Sequence, residues 1–196
     1  MPAVPGRIPR APGRKPACDR TDRVGRLLGV IEIRELTADD WATWRGLRLA
    51  ALAEAPYAFG SRLADWQQAP EERWRDRLSI PASYNVLADL DGRPVGMASG
   101  IPAEDEPDAV ELISMWVSPD ARGRQVGDRL VAAIADWGRR VGAGRLVLAV
   151  AADNPRATAF YHRHGFVESG APPRPMGDGD SARCELVMTK PLLQGS

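Results

Sequence analysis

Cysteine and histidine are scarce in this chain of 196 residues, which has two of each and a formal net charge of zero. Cys18 and Cys184 provide neither a disulfide framework nor a metal-ligand spacing, so a reducing cytoplasm is the expected location. His162 and His164 stand without a third ligand, and no metal site is expected. Zero net charge predicts no nucleic-acid partner. No apolar run approaches the roughly 18 residues of a membrane helix, so no membrane association is expected.

Several catalytic motifs are also missing. The chain has no G-x-x-x-x-G-K-[ST] sequence and no Cys-x-x-Cys pair, which removes support for phosphate hydrolysis and for a zinc ribbon. No Ser or Cys stands in the context of a nucleophile, so a covalent enzyme intermediate is not expected. What remains is an ordinary composition, 44% hydrophobic and 27% charged, which suits one folded domain with a sizeable core.

The first 29 residues differ in composition from the rest. They carry seven Arg or Lys against two Asp, a net charge of +5, so the remaining 167 residues carry −5. Five prolines and few large apolar residues prevent this segment from burying enough surface to fold. It also lacks the apolar stretch of a secretory signal. We predict a disordered tail at 1–29, a domain at 30–191 and a short tail at 192–196. A basic arm for RNA or an acidic partner, or untranslated sequence before a wrongly chosen start, are the alternatives for 1–29.

Apolar periodicity predicts an α/β domain without internal repeats. Strands are predicted at 30–36, 85–90, 94–101, 110–117, 146–151, 166–167 and 184–189, and helices at 38–53, after Pro70, at 125–141 and at 154–164. Trp41 and Trp44 share one face of the first helix and are predicted to lie in the core rather than in a substrate cage. Residues 102–108 form an acidic loop, and residues 170–182 are predicted to be a loop rich in Pro, Gly and Asp.

The turn between the 110–117 strand and the next helix has the features of an anion site. A helix N-terminus presents unpaired backbone N–H groups and the positive end of the helix dipole, which suit a pyrophosphate. Arg122 and Arg124 add positive charge, and Gly123 and Gly127 allow close approach of the backbone. The alternative is a solvated basic turn.

This turn resembles the R/Q-x-x-G-x-G/A signature of the GNAT superfamily of N-acetyltransferases, which binds the coenzyme A pyrophosphate. The six positions are filled by Arg122, Gly123, Arg124, Gln125, Val126 and Gly127. The fourth position is normally glycine, and here it is Gln125. If that residue needs a positive φ, its side chain costs about 1–2 kcal/mol, whereas a helical backbone would make the cost small.

A second motif of the same family follows at the family's separation. The segment resembles N-x-x-A-x-x-F-Y-x-x-x-G-F, with matches at Asn154, Ala157, Phe160, Tyr161, Gly165 and Phe166. The resemblance covers roughly residues 30–190. It implies an α/β fold with a mixed, mainly antiparallel central sheet flanked by helices. It also implies splayed central strands, with acetyl-CoA bound between them as a co-substrate.

The resemblance assigns roles to coenzyme-binding residues. The backbone of Met115, Trp116 and Val117 would bind the pantetheine arm and the acyl carbonyl, and the turn at 122–127 would bind the pyrophosphate. Asn154 would contact the coenzyme arm. As the residue before Pro155 it can also cap the following helix, and both roles are compatible.

Two residues are candidates for acid and base catalysis. Tyr161 is the candidate general acid, because a phenol with a pKa of about 10 keeps a proton to give to a leaving thiolate. The alternative is a core aromatic residue with a satisfied hydroxyl. Glu111, the one carboxylate within the 110–117 strand, is the candidate general base if it faces a wet groove. The alternative is a solvated glutamate at the edge.

We therefore expect an acyl-CoA-dependent N-acyltransferase, foremost an acetyltransferase, in which a primary amine attacks the thioester directly in a ternary complex. The alternative function is a non-catalytic acyl-CoA-binding sensor or interaction module. The acceptor would be a small-molecule amine or a protein N-terminus or lysine. The acidic loop at 102–108 and the net charge of −5 favour a cationic amine. A homodimer is the oligomer that the resemblance suggests.

Overall fold

The computed structural model describes residues 29–104, 106–176 and 183–192. The predicted N-terminal tail therefore lies outside the described residues except for Gly29, and so do residues 193–196. Leu192, the first residue of the predicted C-terminal tail, is only 2% exposed and packs in the core. The packed domain thus extends one residue beyond position 191.

Within the described residues, eight strands form one sheet in the order β1-β2-β3-β4-β5-β8-β6, with β7 also paired to β8. Their bounds are β1 Ile31–Glu35, β2 Tyr84–Leu90, β3 Arg93–Pro102, β4 Ala109–Val117, β5 Arg145–Ala151, β6 Val167–Glu168, β7 Arg174–Pro175 and β8 Cys184–Pro191. All neighbours pair antiparallel except β4 and β5, which are parallel. The mixed, mainly antiparallel sheet confirms the predicted fold class.

In the part of the chain that the structure describes, five α-helices flank the sheet: α1 Trp41–Glu54, α2 Leu63–Gln67, α3 Glu71–Leu78, α4 Val126–Arg140 and α5 Pro155–Arg163. Neither α2 nor the short strand β7 was predicted from the sequence. The five residues of α2 are too few to show a helical period, and β7 has only two residues, one of which is a proline.

Two apolar clusters hold the helices on opposite faces of the sheet. On one face, α1 and α3 contribute Trp44, Leu47, Trp74 and Leu78, which pack against Leu87, Met97 and Trp116. On the other face, α4 packs against Val86, Ala88, Leu112 and Leu148. Adjacent residues of β2 therefore enter different clusters, because successive side chains of a strand point to opposite faces. Trp44 is fully buried in the first of these clusters, as predicted for a core residue, and it also borders a cavity.

The two parallel strands separate soon after they meet. Pairing between β4 and β5 is confined to Ala109–Arg145, Val110–Leu146 and Glu111–Val147. Beyond Glu111 the strands diverge, as the resemblance implied. On its other edge β4 has a bulge, where Ser114 and Met115 oppose a single residue of β3. Ser114 has a φ of 55°, in the left-handed region. This bulge redirects the chain at the opening of the splay.

Candidate active site

One cavity of about 430 Å³ opens between the separated strands and the N-terminal ends of α4 and α5. Ten of the residues predicted to bind the coenzyme line it: Met115, Trp116, Val117, Arg122, Gly123, Gln125, Val126, Gly127, Asn154 and Tyr161. Two motifs that are about 30 residues apart in sequence thus meet around one space. We call this space the coenzyme cavity.

The turn before α4 is wound tightly by two left-handed residues. Gly123 has a φ of 75°, and Gln125 has a φ of 65° and a ψ of 10° at the N-cap position. The side chain of Gln125 makes no capping hydrogen bond. The Gln125 side chain therefore leaves the N–H groups of the first turn of α4 without a cap, next to the cavity. Such free N–H groups suit an anionic group such as a pyrophosphate. Of the two conformations considered for Gln125, the strained one is present.

Gly127 serves the packing of α4 against α5. A Cβ atom at this position would lie 3.1 Å from Cζ of Phe160 and 3.5 Å from Cε of Met115. The first distance is shorter than ordinary van der Waals contact. The glycine therefore allows the aromatic ring of α5 to approach α4 beside the cavity.

Both arginines of the turn form ion pairs with carboxylates of other parts of the fold. Arg122 donates from both terminal nitrogens to Glu54 at 3.1 and 2.7 Å, and Glu54 also accepts a 3.0 Å bond from Trp116. The Arg122 side chain lowers the pKa of Glu54. Arg124 does not line the coenzyme cavity, and its Nη2 lies 3.8 Å from Oδ2 of Asp91. Arg122 thus ties α1 to the turn, and Arg124 faces the β2–β3 hairpin.

Sequence analysis missed two other cations of the coenzyme cavity. Arg156 and Arg163 line it from α5. They are seven residues apart, which places them on one side of a helix, so this spacing could have identified them.

Asn154 combines the two roles considered for it. Its Oδ1 accepts a 3.2 Å hydrogen bond from the N–H of Ala157, so it caps α5 ahead of Pro155. The same residue lines the coenzyme cavity. The cap fixes the start of α5, which carries Tyr161.

Tyr161 lies where the strands separate. Its hydroxyl donates to Sδ of Met115 at 3.7 Å, and its ring packs edge-on against Phe160 and Phe166. Burial raises the pKa of the phenol to about 12. A thioether sulfur is a weak acceptor, so this hydroxyl is held in place without a strong partner.

A second cavity of about 320 Å³ opens on the other side of the same point. Both cavities are lined by Ala58, Met115, Ala149 and Tyr161. We call this second space the acceptor cavity, because a molecule in it would face the coenzyme cavity across Tyr161.

Glu111 lines the acceptor cavity at the last paired position of β4 and β5. Burial raises the pKa of its carboxyl group; Glu185 and Glu106 raise it further, whereas Arg174 opposes the shift. The side chain is half-buried and faces the cavity. This placement is the one that a general base needs, in contrast to a solvated edge position.

Two arginines of the acceptor cavity, the half-buried Arg77 and the buried Arg48, were not predicted. Arg77 donates to Oδ1 of Asn85 at 3.2 Å and to Oγ of Ser99 and Ser114 at 3.2 and 3.1 Å, so it braces the bulge of β4. Arg48 projects from α1 and is 8% exposed. Burial lowers the pKa of each guanidinium to about 10.

The acidic loop lies elsewhere. Among the described residues, none of positions 102–108 lines either cavity. Glu106 pairs with Arg145 at 2.7 Å, and Asp108 accepts the N–H of Gly144 at 3.1 Å. These contacts are at the start of β4 and β5, opposite the end where the strands separate. The loop therefore gives no support to a cationic acceptor. Arg48, Arg77 and Arg174 line the acceptor cavity instead, and their positive charge favours an anionic group.

The sequence profile of the Acetyltransferase (GNAT) family matches residues 46–166. This span includes both motifs and most of the residues of both cavities. The chain belongs to the GNAT family.

Individual relatives are more distant. The chain is 28% identical to a mycothiol acetyltransferase of Renibacterium salmoninarum over 69% of its length and 40% of the relative's length. It is 31% identical to an L-2,4-diaminobutyric acid acetyltransferase of Nocardia farcinica over 57% of the chain and 62% of that protein. It thus spans only about two fifths of the mycothiol acetyltransferases that it matches.

The fold is that of solved GNAT proteins. YncA of Salmonella typhimurium, solved with its cofactor acetyl-CoA, superimposes with a TM-score of 0.68 at 18% identity, over 85% of this chain and 96% of that one. Across the described residues there is no group of three or more potential metal ligands, and no helix is long and apolar enough to cross a membrane.

Proposed function

We propose that this chain transfers an acetyl group from acetyl-CoA to a primary amine within a ternary complex. The observation that carries the proposal is the meeting of two cavities at Tyr161 and Met115, at the point where β4 and β5 separate. A donor on one side and an acceptor on the other can then react directly, and the chain needs no nucleophile of its own.

The residues of the coenzyme cavity fit acetyl-CoA. The uncapped N-terminus of α4 and the cations Arg156 and Arg163 suit the phosphate end. Residues 115–117 of β4 have lost β5 as a partner, which frees backbone groups for the pantetheine arm and for the acyl oxygen. When bound, acetyl-CoA supplies an acetyl thioester that an amine can attack.

The chain's own residues supply the proton transfers. Glu111 accepts a proton from the amine, directly or through water, so that the nitrogen has a free electron pair. The nitrogen bonds to the acetyl carbonyl carbon as the bond from that carbon to sulfur breaks. Tyr161 gives its phenol proton to the departing sulfur, which leaves as the free thiol. The nitrogen loses a second proton as the amide forms, and this proton restores the phenol of Tyr161, directly or through water. The raised pKa of Tyr161 keeps that proton in place over the working pH range.

One relative supports an amine acceptor, because its name gives L-2,4-diaminobutyric acid, which carries two amino groups, as the molecule that it acetylates. The low identity of the relatives leaves the identity of the acceptor to experiment. Family membership and the intact pair of Tyr161 and Glu111 favour catalysis over a binding module.

The test is acetyl transfer by the purified full-length chain. Acetyl-CoA is mixed with a broad panel of amines, release of the free thiol is followed, and products are identified by mass spectrometry. Reactions without amine and with the Tyr161→Phe variant are the controls. We expect one class of amine to gain 42 mass units per acetyl group, about the mass of C₂H₂O. Binding of acetyl-CoA without transfer to any amine would instead support the sensor function.

A further inference from the structure

Two buried hydrogen-bond donors of the acceptor cavity lack acceptors. Nε1 of Trp44 and Nη1 of Arg48 have no hydrogen-bond partner within the part of the chain that the structure describes. The two residues are four apart on α1 and hence lie on one face, and both line the acceptor cavity. Trp44 is 0% exposed and Arg48 is 8% exposed. Buried donors without partners are rare in native proteins, and donors that line a cavity are paired when the water or ligand that fills it carries acceptor atoms.

The charge of the cavity indicates the kind of ligand. Arg174 is neutralised by Glu185 at 2.7 Å. No ion pair between described residues includes Arg48 or Arg77, and the three bonds of Arg77 go to uncharged oxygens. Among the described residues, the buried guanidinium of Arg48 and the half-buried one of Arg77 therefore have no anionic partner. Burial of an unpaired charge is costly, and an anionic ligand would remove that cost.

The two arginines differ in what they already do. Arg77 already donates three hydrogen bonds to a polar network around the bulge, so its position is explained without a ligand. Within the described part of the chain, the contact found for the Arg48 guanidinium is the ring of Phe59, whose centroid lies 4.6 Å from Cζ, and the positive charge of Arg77 repels that of Arg48. Phe59 is half-buried and covers the guanidinium, so an anion that reaches Arg48 has to displace this ring.

We propose that the acceptor amine carries a carboxylate, which accepts hydrogen bonds from Nη1 of Arg48 and Nε1 of Trp44. The substrate class is an amino acid, with its amino group directed to Glu111 and Tyr161 in the same cavity. Both donors belong to residues that line the same cavity, and a carboxylate has two oxygens that can accept from them. A space of about 320 Å³ holds a small molecule of this size. This inference rests on the proposed function, because it names the acceptor of the same reaction.

The kinetic test uses matched acceptors. L-amino acids, including L-2,4-diaminobutyrate, are each compared with the corresponding carboxamide, and L-2,4-diaminobutyrate also with 1,3-diaminopropane. We expect kcat/KM for the preferred acid to exceed that for its neutral partner by about 10- to 100-fold, the range for a hydrogen-bonded charge. Phosphoethanolamine serves as the phosphate arm. Equal rates for acids and amides, or a preference for phosphoethanolamine, would overturn the carboxylate assignment.

Variants connect that preference to Arg48. The preference for the acid over the amide should fall to near one in Arg48→Gln, mainly through KM, and return in part in Arg48→Lys, which keeps the charge. The matched control is Arg45→Gln on the same helix, since Arg45 lines neither cavity and should keep the full preference. A full preference in Arg48→Gln would refute the proposal.

A binding measurement separates this inference from the proposed function. Calorimetric titration of the amino acids into the protein saturated with coenzyme A does not require turnover. If an amino acid binds to the unmodified protein and Arg48→Gln abolishes this binding, the inference is supported even if no acetyl transfer occurs. If transfer occurs without any preference for acids, the inference is refuted and the proposed function stands. Folding of the variant is checked by its melting temperature, which we expect to equal or exceed that of the unmodified protein because an unpaired buried charge has been removed.

Discussion

Replacing Gln125 by glycine tests the backbone of the coenzyme turn. Gln125 has a φ of 65° and directly precedes α4, and its side chain makes no capping bond. The conformation is therefore held by the turn and by α4, although a Cβ atom opposes it. Glycine has no Cβ, so Gln125→Gly should remove this strain while the path of the chain stays the same.

Two opposing terms set the size of the effect. A non-glycine residue in the left-handed region costs about 1–2 kcal/mol. Glycine also gains conformational entropy in the unfolded chain, which lowers the free energy of unfolding by about 0.5–1 kcal/mol. The net change is a stabilisation of about 0–1.5 kcal/mol, centred near 0.75 kcal/mol. For a chain of this size the central value corresponds to a rise in melting temperature of roughly 2–3 °C.

Urea unfolding and calorimetry measure this change, and Gln125→Ala is the matched control. Alanine loses the glutamine side chain but keeps the Cβ atom, so it should not gain stability. Acetyl-CoA affinity should stay the same or increase in the glycine variant. A glycine variant less stable than the unmodified protein, or an alanine variant equally stabilised, would refute the argument from strain. A loss of affinity of more than about tenfold would show that the glutamine side chain binds the coenzyme.

Three further predictions concern the reacting groups and the brace beside them. Tyr161→Phe should lower the single-turnover rate by roughly 10²–10⁴ and leave coenzyme affinity within a few-fold. The control is Tyr84→Phe, which should change neither quantity, because the Tyr84 ring stacks on a tryptophan of α4 away from both cavities. A normal rate in Tyr161→Phe would contradict the general-acid role. Burial raises the pKa of Glu111, so as pH is lowered activity should be lost at a pH above the range in which an ordinary glutamate titrates. Glu111→Gln should be most impaired at low pH and should recover partly as the amine deprotonates. An unchanged pH profile in this variant would exclude Glu111 as the base. Arg122 lowers the pKa of Glu54 in the folded state, so the ion pair stabilises the protein above the unfolded pKa and the effect is lost as pH falls through the folded pKa. Glu54→Gln should therefore reduce stability at neutral pH by at most about 1 kcal/mol, with no difference in strong acid, as measured by urea unfolding at several pH values.

The coenzyme side of the site could be predicted because local sequence determines it. The turn at 122–127 and the segment that begins at Asn154 each fix a backbone conformation within a few residues, and both begin a helix. A continuous apolar strand, β5, lies between them and places the two helix N-termini at one end of the sheet. The local sequence does not determine the directions of the arginine side chains, because these depend on partners elsewhere in the chain. Arg124 turns to the β2–β3 hairpin, and Arg122 turns to α1.

The acceptor cavity could not be predicted from the sequence. It combines α1, α3, β4 and β7, which are separated by long stretches of chain, so no local pattern brings Arg48, Arg77 and Arg174 together. Arginines within a helix usually indicate its solvated face. The prediction of a cationic acceptor used the acidic loop and the net charge, and neither of these says where a charge lies in the fold. The loop lies at the end of β4 that is away from the cavities.

Departures from local preference are concentrated around the two cavities. Among the described residues, Ser114 has a positive φ at the bulge, Gln125 has one before α4, and Nη1 of Arg48 is buried without a hydrogen-bond partner. Ala82 and Asp91, which also have a positive φ, lie in turns. The bulge at Ser114 shifts the register of β4 just before Met115, which lines both cavities, and the turn at Gln125 places the N-terminus of α4 beside the coenzyme cavity. Each of these features lowers stability. Their positions around the two cavities are those that the proposed acetyl transfer predicts, because local strain is retained where it serves binding or catalysis.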